Sequence, residues 1–194
     1  MKLKLIIAAA ALLASTPVFA KWSLVQDSTP VVVGGGKLKV IAARGWNRWS
    51  KQPTKQSELW SYDGPALNQI QFFDGLAEGQ PMAKERNKKR EPLPKFTQAM
   101  KGTDVAEAFE QTVRVTQGTP DFAIDRIEPA RFAGAQGFRF LYHYTANELV
   151  RKGEARGAIV GGKLYMITYT AAALHYFDAH LAQAQAIMDS AKIG

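Results

Sequence analysis

The chain has 194 residues, a formal net charge of +8 at pH 7 and no cysteine. The absence of cysteine excludes disulfides, thiol catalysis, thiolate zinc sites and iron–sulfur clusters. Stability must therefore come from packing alone.

The N-terminal residues have the pattern of a cleavable secretory signal peptide. Lys2 and Lys4 precede an apolar run over residues 5–14 that is too short to span a membrane comfortably. Small residues then lead to a predicted cleavage site after Ala20. The next residue is Lys21 rather than cysteine, so no lipid anchor is expected.

The mature chain, residues 21–194, is predicted to form one domain, because its length suits a single core. It contains no second apolar run long enough to cross a bilayer, so no transmembrane segment is expected after cleavage. We expect an exported protein, which is periplasmic in a Gram-negative cell. An exported protein is not expected to bind nucleic acid.

The first part of the mature chain is predicted to be rich in strands. Residues 22–25 suggest a short strand, and β-branched runs at 31–33 and 37–42 flank Gly34-Gly35-Gly36 as in a hairpin. Glycine triples also occur in phosphate loops, but here the GxxxxGK[ST] pattern is missing and no helix is predicted to follow. The triple is therefore interpreted as a turn.

Two tryptophans and two arginines then form the most ligand-like cluster of the chain. These residues are Arg44, Trp46, Arg48 and Trp49. Together they would make a cation–π shelf that binds a ligand. In the alternative interpretation, the indoles close one end of the sheet and the arginines cover them.

Two further strands are predicted at residues 57–62 and 67–73, separated by the turn residues Asp63-Gly64-Pro65. Asp74-Gly75 is expected to end the second strand.

Residues 79–102 break this pattern and are predicted to form a solvated basic loop. Its cations are Lys84, Arg86, Lys88, Lys89 and Arg90. The functional interpretation is a footprint for an anionic partner, such as anionic lipid, lipopolysaccharide or an acidic protein. The alternative is a charged loop that keeps the domain soluble.

A helix is predicted next, with Thr103 as its N-cap and Gly118 as its end. Its apolar face is formed by Val105, Ala108, Phe109, Thr112 and Val113. Residues 122–132 are predicted to be extended, and residues 133–136 to form a turn.

The C-terminal part is predicted to contain an aromatic strand, a hairpin and a helix. The aromatic side chains alternate with unlike residues and are Phe138, Phe140, Tyr142 and Tyr144. Strands at 154–160 and 163–170 flank Gly161-Gly162, a strong hairpin signal. Apolar residues then recur at helical spacing, namely Leu174, Phe177, Leu181, Ala184 and Met188. We therefore expect the terminal helix to lie on the aromatic face of the sheet.

These elements predict an α+β fold, with a central antiparallel β-sheet and helices packed on it. The last third of the chain, over residues 137–156, 162–169, 176–177 and 187–192, resembles the PsbP-like superfamily, as does Gly45-Trp46-Asn47. The resemblance implies an α/β/α sandwich and an accessory or binding role without catalysis. It assigns no site residues.

No catalytic or metal motif is present. The G-x-S-x-G elbow and the HExxH pattern are both missing. His175 and His180 are five apart on a predicted helix and therefore point about 140° apart. His143 lies among aromatic residues, where a packed, hydrogen-bonded ring is expected. No catalytic residue, metal or cofactor is predicted.

We therefore expect a non-catalytic periplasmic accessory or binding protein, whose partner is an envelope protein or an anionic envelope component. An envelope hydrolase is one alternative, and it would show a deep pocket with a carboxylate or histidine of strongly perturbed pKa. A purely structural subunit of an envelope complex is the other, and it would show a contiguous exposed apolar patch.

Overall fold

The structure, a computed structural model, describes residues 22–194. The predicted signal peptide, residues 1–20, and its cleavage site lie outside the described residues. The elements in chain order are β1 Trp22–Leu24, β2 Pro30–Val32, β3 Leu38–Ile41, β4 Asn47–Trp49, β5 Ser57–Ser61, β6 Asn68–Leu76, α1 Gly102–Gln117, β7 Phe122–Phe132, β8 Ala135–Ala146, β9 Leu149–Val160, β10 Lys163–Ala172, α2 Tyr176–Asp189 and β11 Lys192–Ile193.

The main sheet of residues 22–194 is antiparallel and has eight strands in the order β1-β4-β5-β6-β10-β9-β8-β7. Its second half is a meander of consecutive hairpins, and β10 then returns to pair with β6. A smaller sheet has the order β11-β3-β2. The predicted α+β class and the antiparallel pairing are therefore confirmed, and so are the hairpins at Gly34-Gly35-Gly36 and Gly161-Gly162.

The two helices lie on opposite faces of the main sheet, which gives the layers of an α/β/α sandwich. Helix α1 packs over β7 and β8, and α2 packs over β9 and β10. One core contains Phe109 of α1, and the other contains Phe177 of α2 together with the small sheet. Neither helix is long and apolar enough to cross a membrane.

The predicted packing of the terminal helix on the aromatic strand is wrong. The four aromatic side chains of β8 are buried under α1, where Phe109 lies 5.1 Å from Tyr142 between ring centroids. Because side chains alternate along a strand, the α2 side of β8 instead carries residues such as Arg139. Helix α2 packs on β10, where Phe177 stacks on Tyr169 at 5.4 Å.

Two predicted helix boundaries also change. The N-cap of α1 is Lys101 rather than Thr103, and the Lys101 N–H donates to the Asp104 carboxylate at 2.7 Å. Gly118 ends α1 as predicted, with a φ of 64°. Leu174 precedes α2 and is 84% exposed, so it does not belong to the apolar stripe.

Strand β6 continues past the predicted stop at Asp74-Gly75 and ends at Leu76. Its register with β10 skips Gly75, which has a φ of 78°. The glycine therefore bends the strand as a bulge instead of ending it.

Candidate functional site

The residues of the predicted cation–π shelf are divided between the core and the surface. Arg44 is exposed, whereas Trp46 is fully buried and meets Tyr169 edge to face at 6.3 Å. Trp49 is half-buried and stacks on Trp22 at 6.2 Å. The alternation of a strand places Trp46 and Trp49 on opposite faces, which is a signal that the sequence already contained.

Arg48, the fourth residue of that cluster, is committed to a buried carboxylate. Its Nε lies 2.6 Å from Glu58 Oε1, and its guanidinium lies 5.9 Å from the Trp60 ring centroid. Glu58 also accepts hydrogen bonds from the Trp60 indole at 2.5 Å and from the Gly34 amide at 3.1 Å. The geometry favours a structural role for this cluster over a shelf that binds a ligand.

The glycine triple is a turn that encloses a carboxylate of the chain itself. Asp74 Oδ1 accepts hydrogen bonds from the amides of Lys37 at 3.0 Å and Leu38 at 2.8 Å. A Cβ at Gly34 would lie 2.5 Å from Asp74 Cβ, and a Cβ at Gly36 would lie 2.3 Å from Asp74 Oδ2. The amides that follow the triple could serve an anion-binding loop, but Asp74 already accepts the hydrogen bonds of Lys37 and Leu38.

The predicted basic loop is anchored to the core at both ends, and it ends at the N-cap Lys101, before α1 begins at Gly102. Met82, Leu93 and Phe96 are buried. Backbone hydrogen bonds join Gly79 to Phe96 at 2.8 Å and Phe96 to Gln80 at 2.9 Å. The prediction of a solvated excursion is therefore wrong for the two ends, because apolar side chains hold them on the sheet. It holds for residues 84–91, here named the basic segment.

The basic segment carries exposed cations that no ion pair neutralises. Lys84, Arg86, Lys88, Lys89 and Arg90 are all exposed, and none forms a salt bridge within residues 22–194. Five cations against Glu85 and Glu91 leave a net charge of +3. Glu85 is half-buried and accepts a hydrogen bond from the Leu93 amide at 3.3 Å.

A groove of about 330 Å³ lies beside the basic segment. Residues 53–56 form one wall, and residues 80–81 and 83–85 form the other. Lys55 and Lys84 are exposed at this groove, and Leu76 lines it from the core. The groove and the basic segment together form a cationic surface with a partly apolar recess, which suits an anionic partner.

The three histidines do not form a metal site. Within residues 22–194, no three histidine, aspartate or glutamate side chains are grouped to hold a metal ion. His180 Nε2 lies 2.8 Å from Asp63 Oδ2, and His143 Nδ1 lies 2.7 Å from Asp125 Oδ1. His143 is 48% exposed rather than packed, because it points away from the aromatic face of β8.

A buried ionic network lies on the α2 side of the sheet. The Glu154 carboxylate accepts two hydrogen bonds from Arg139 at 2.9 Å each, one from Arg156 at 2.5 Å and one from Gln185 at 3.0 Å. Burial raises the pKa of Glu154, but these hydrogen bonds outweigh it and lower the pKa to about 2. Glu154 is therefore held as a carboxylate, which suits a structural ion pair better than a general acid.

Comparisons with known proteins identify the fold. No family model matches the chain, and no curated protein matches it by sequence. Among solved structures, the chain is similar to cyanobacterial PsbP (CyanoP) from Synechocystis sp. PCC 6803, with 14% identity and a TM-score of 0.54 over 94% of this chain and 99% of that one. It is also similar to the Saccharomyces cerevisiae Ran-binding protein Mog1p, with 12% identity and a TM-score of 0.51 over 85% of this chain and 94% of that one.

These similarities define the class of the protein at the level of its architecture. The chain has the PsbP-like fold, so the resemblance predicted from the sequence is confirmed. The fold alone does not assign a function or a site.

Proposed function

We propose that the protein is an exported, non-catalytic accessory or binding protein that attaches to an anionic component of the cell envelope. The observation that carries this proposal is the set of exposed, unneutralised cations in the basic segment. Export rests on the signal-peptide pattern of residues 1–20. A mature N-terminus at Lys21 in the periplasmic fraction is the result expected from N-terminal sequencing.

The way in which the basic segment is held supports binding. Its charges lie between two buried anchors, Met82 and Leu93, so part of the ordering that a partner would impose is already present. The adjoining groove adds Lys55 and an apolar surface. An anionic headgroup or an acidic side chain would meet several cations at once there.

A solved structure of the same fold supports an accessory role. Mog1p, which has the same fold, is named as a Ran-binding protein. A protein of this architecture can therefore act by binding a partner. For the present chain, the partner class is inferred from charge and from the predicted exported location.

The test is vesicle flotation with the mature protein, comparing anionic phosphatidylglycerol vesicles with neutral phosphatidylcholine vesicles. A triple variant, Lys88→Gln, Lys89→Gln and Arg90→Gln, removes three of the exposed cations. Each basic residue near an anionic surface contributes about 1 kcal/mol, so binding is expected to fall about 100-fold. Binding should also weaken steeply as salt is raised.

The matched control removes the same charge from a different surface. Lys37, Lys39 and Lys192 are exposed on the small sheet, and their replacement by Gln leaves the same net charge. Equal loss of binding in both triple variants would show that only net charge matters and would remove the basic segment from the argument. A pull-down from envelope extract at low and high salt, with the same two variants, tests an acidic protein partner.

A further inference from the structure

A second, more enclosed cavity lies between α1 and the centre of the main sheet. Its volume is about 70 Å³, and its lining comes from β6, β8, β10, α1 and residues 82–83. Thr112 and Thr168 are buried in it, whereas Gln117 is exposed at its edge. The cavity therefore reaches from the sheet to solvent beside the end of α1.

The part of the sheet that faces this cavity is polar, although it lies in central strands. Gln71 pairs with Thr168, and Gln69 pairs with Thr170, across β6 and β10. On the opposite face, the same two strands carry fully buried Ile70, Phe72, Ile167 and Tyr169. Gln69 and Gln71 are half-buried, so their side chains line the cavity where it is still open to solvent, whereas Thr168 and Thr170 beside them are buried.

The two glutamine amides are the groups left without partners. Within residues 22–194, neither the Gln69 nor the Gln71 side chain forms a hydrogen bond with another protein group. Thr170, by contrast, is paired with the Tyr142 hydroxyl at 2.6 Å, and the Thr112 hydroxyl donates to the Ala108 carbonyl at 2.7 Å. Each free amide offers both a donor and an acceptor to the cavity.

The remaining walls define the size and polarity of a suitable ligand. They include the apolar side chains of Phe73, Met82, Phe109 and Val113, and no lining residue is Asp, Glu, His, Lys or Arg. A charged ligand would lose its hydration without a counter-charge. Since a cavity of about 150 Å³ accommodates benzene, a cavity of half that volume suits a group of about four heavy atoms.

We propose that this cavity binds an uncharged acetamide-type group, with its amide on Gln69 and Gln71 and its methyl or methylene carbon against the apolar wall. Two sources carry this chemistry, namely the N-acetyl group of an amino sugar and the side-chain carboxamide of an asparagine or glutamine in a peptide. The cavity shares Met82 with the anchor of the basic segment and Ala83 with the groove, but none of the exposed cations lines it. Acetamide binding therefore does not depend on the proposed attachment to an anionic component.

The test is an NMR titration of the isotope-labelled protein with acetamide, using acetate as the control of equal size but with a charge. Acetamide is expected to bind in the millimolar range, because a ligand of four heavy atoms has little surface to bury. It should shift the side-chain amide signals of Gln69 and Gln71 and give a methyl NOE to Val113. Acetate should do neither. Equal responses to both compounds, or no NOE to Val113, would overturn the proposal.

Two further pairs of compounds distinguish the sources. N-acetylglucosamine is compared with glucose, and glycylglutamine with glycylglutamate. A sugar source predicts at least tenfold tighter binding than acetamide in the first pair, and a peptide source predicts it in the second. If both compounds with amides bind more weakly than acetamide, the cavity admits no larger ligand and the proposal fails.

The variant Gln71→Met removes the amide and keeps the length of the side chain. It is expected to weaken acetamide binding at least tenfold, while Gln111→Met, on the exposed face of α1 and outside the cavity, leaves binding unchanged. Ala83→Leu enlarges a side chain of the cavity lining and should abolish binding even if Gln71→Met does not fold. Unchanged binding in the folded variants would contradict the assignment.

Discussion

The two faces of the main sheet accommodate polar residues beside their apolar cores in different ways. The face under α1 is aromatic on β8, whereas β6 and β10 carry uncharged polar residues such as Gln69 and Thr170 at one end and buried apolar residues such as Phe73 and Met166 at the other. The face under α2 is apolar on β6 and β10 and becomes ionic on β8 and β9, around Glu154. Each face therefore combines an apolar core with a polar region, and the polar residues are uncharged on one face and ionic on the other.

The two helices cover different pairs of strands. Helix α1 packs over β7 and β8, whereas α2 packs over β9 and β10. A cavity remains beside each helix, with an uncharged lining next to α1 and a lining with Arg139, Lys152 and Glu154 next to α2. Polar sheet residues beside a helix must be solvated or hydrogen-bonded. Amides open to a cavity fulfil this on the α1 face, and ion pairs completed by Gln185 of α2 fulfil it on the α2 face.

The largest expected effect comes from truncating one buried phenylalanine in each of the two hydrophobic cores. Phe140 faces α1, Phe72 faces the other core, and both are fully buried. Phe140→Ala and Phe72→Ala should each lower the free energy of unfolding by about 3–5 kcal/mol, measured by urea denaturation. Leu174→Ala, at an exposed position, is the control and should change it by less than about 0.5 kcal/mol. A loss below about 1 kcal/mol at either phenylalanine would show that this side chain does not lie in a well-packed core.

The sequence was sufficient to predict those features that depend on neighbouring residues. Gly118 ends α1, Gly161-Gly162 forms a hairpin, and the aromatic residues of β8 share one face. Which helix covers that face depends on the order of strands. The pairing of β10 with β6 joins segments about a hundred residues apart in the chain. Periodicity shows that a strand or a helix has an apolar side, but not which partner covers it.

A second prediction tests whether the charge of Glu154 stabilises the protein through the ionic network on the α2 face. The pKa of Glu154 falls from its usual 4.5 to about 2 in the folded protein. The folded state therefore gains stability from the carboxylate above pH 4.5 and loses it as the pH falls towards 2. Because Arg139 and Arg156 are partly solvated, the full contribution is expected to be about 2–3 kcal/mol.

The measurement compares the protein with Glu154→Gln by urea denaturation between pH 7 and pH 3. The difference in the free energy of unfolding should be largest at pH 7 and fall to roughly half or less by pH 3. The Phe140→Ala variant is the control, because its loss arises from packing and should change little with pH. A difference for Glu154→Gln that stays constant over this range would mean that the shape of the side chain, not its charge, matters at this site.

The candidate site was predictable only in part, because charge is visible in a sequence and burial is not. The cations from Lys84 to Arg90 stand out in the sequence, and the structure leaves them exposed. Nothing local to them indicates that Met82 and Leu93 anchor the segment. The polar cavity was not predicted at all, since Gln69 and Thr170 are distant in sequence and meet only through the pairing of β6 with β10.

The smallest of these effects comes from comparing Gly34, in the glycine turn, with Gly118, at the end of α1. The two glycines have similar backbone geometry but different surroundings. Gly34 has a φ of 67° and Gly118 has a φ of 64°, so alanine has a similar conformational cost of about 1 kcal/mol at either position. A Cβ at Gly118 meets nothing within 4 Å, whereas one at Gly34 would lie 2.5 Å from Asp74 Cβ and must displace it. Gly34→Ala should therefore lower the free energy of unfolding by about 2 kcal/mol, and Gly118→Ala by about 1 kcal/mol, in the same denaturation assay. If the two losses are equal, Asp74 can move without penalty, and its hydrogen bonds to the Lys37 and Leu38 amides do not hold the turn on the sheet.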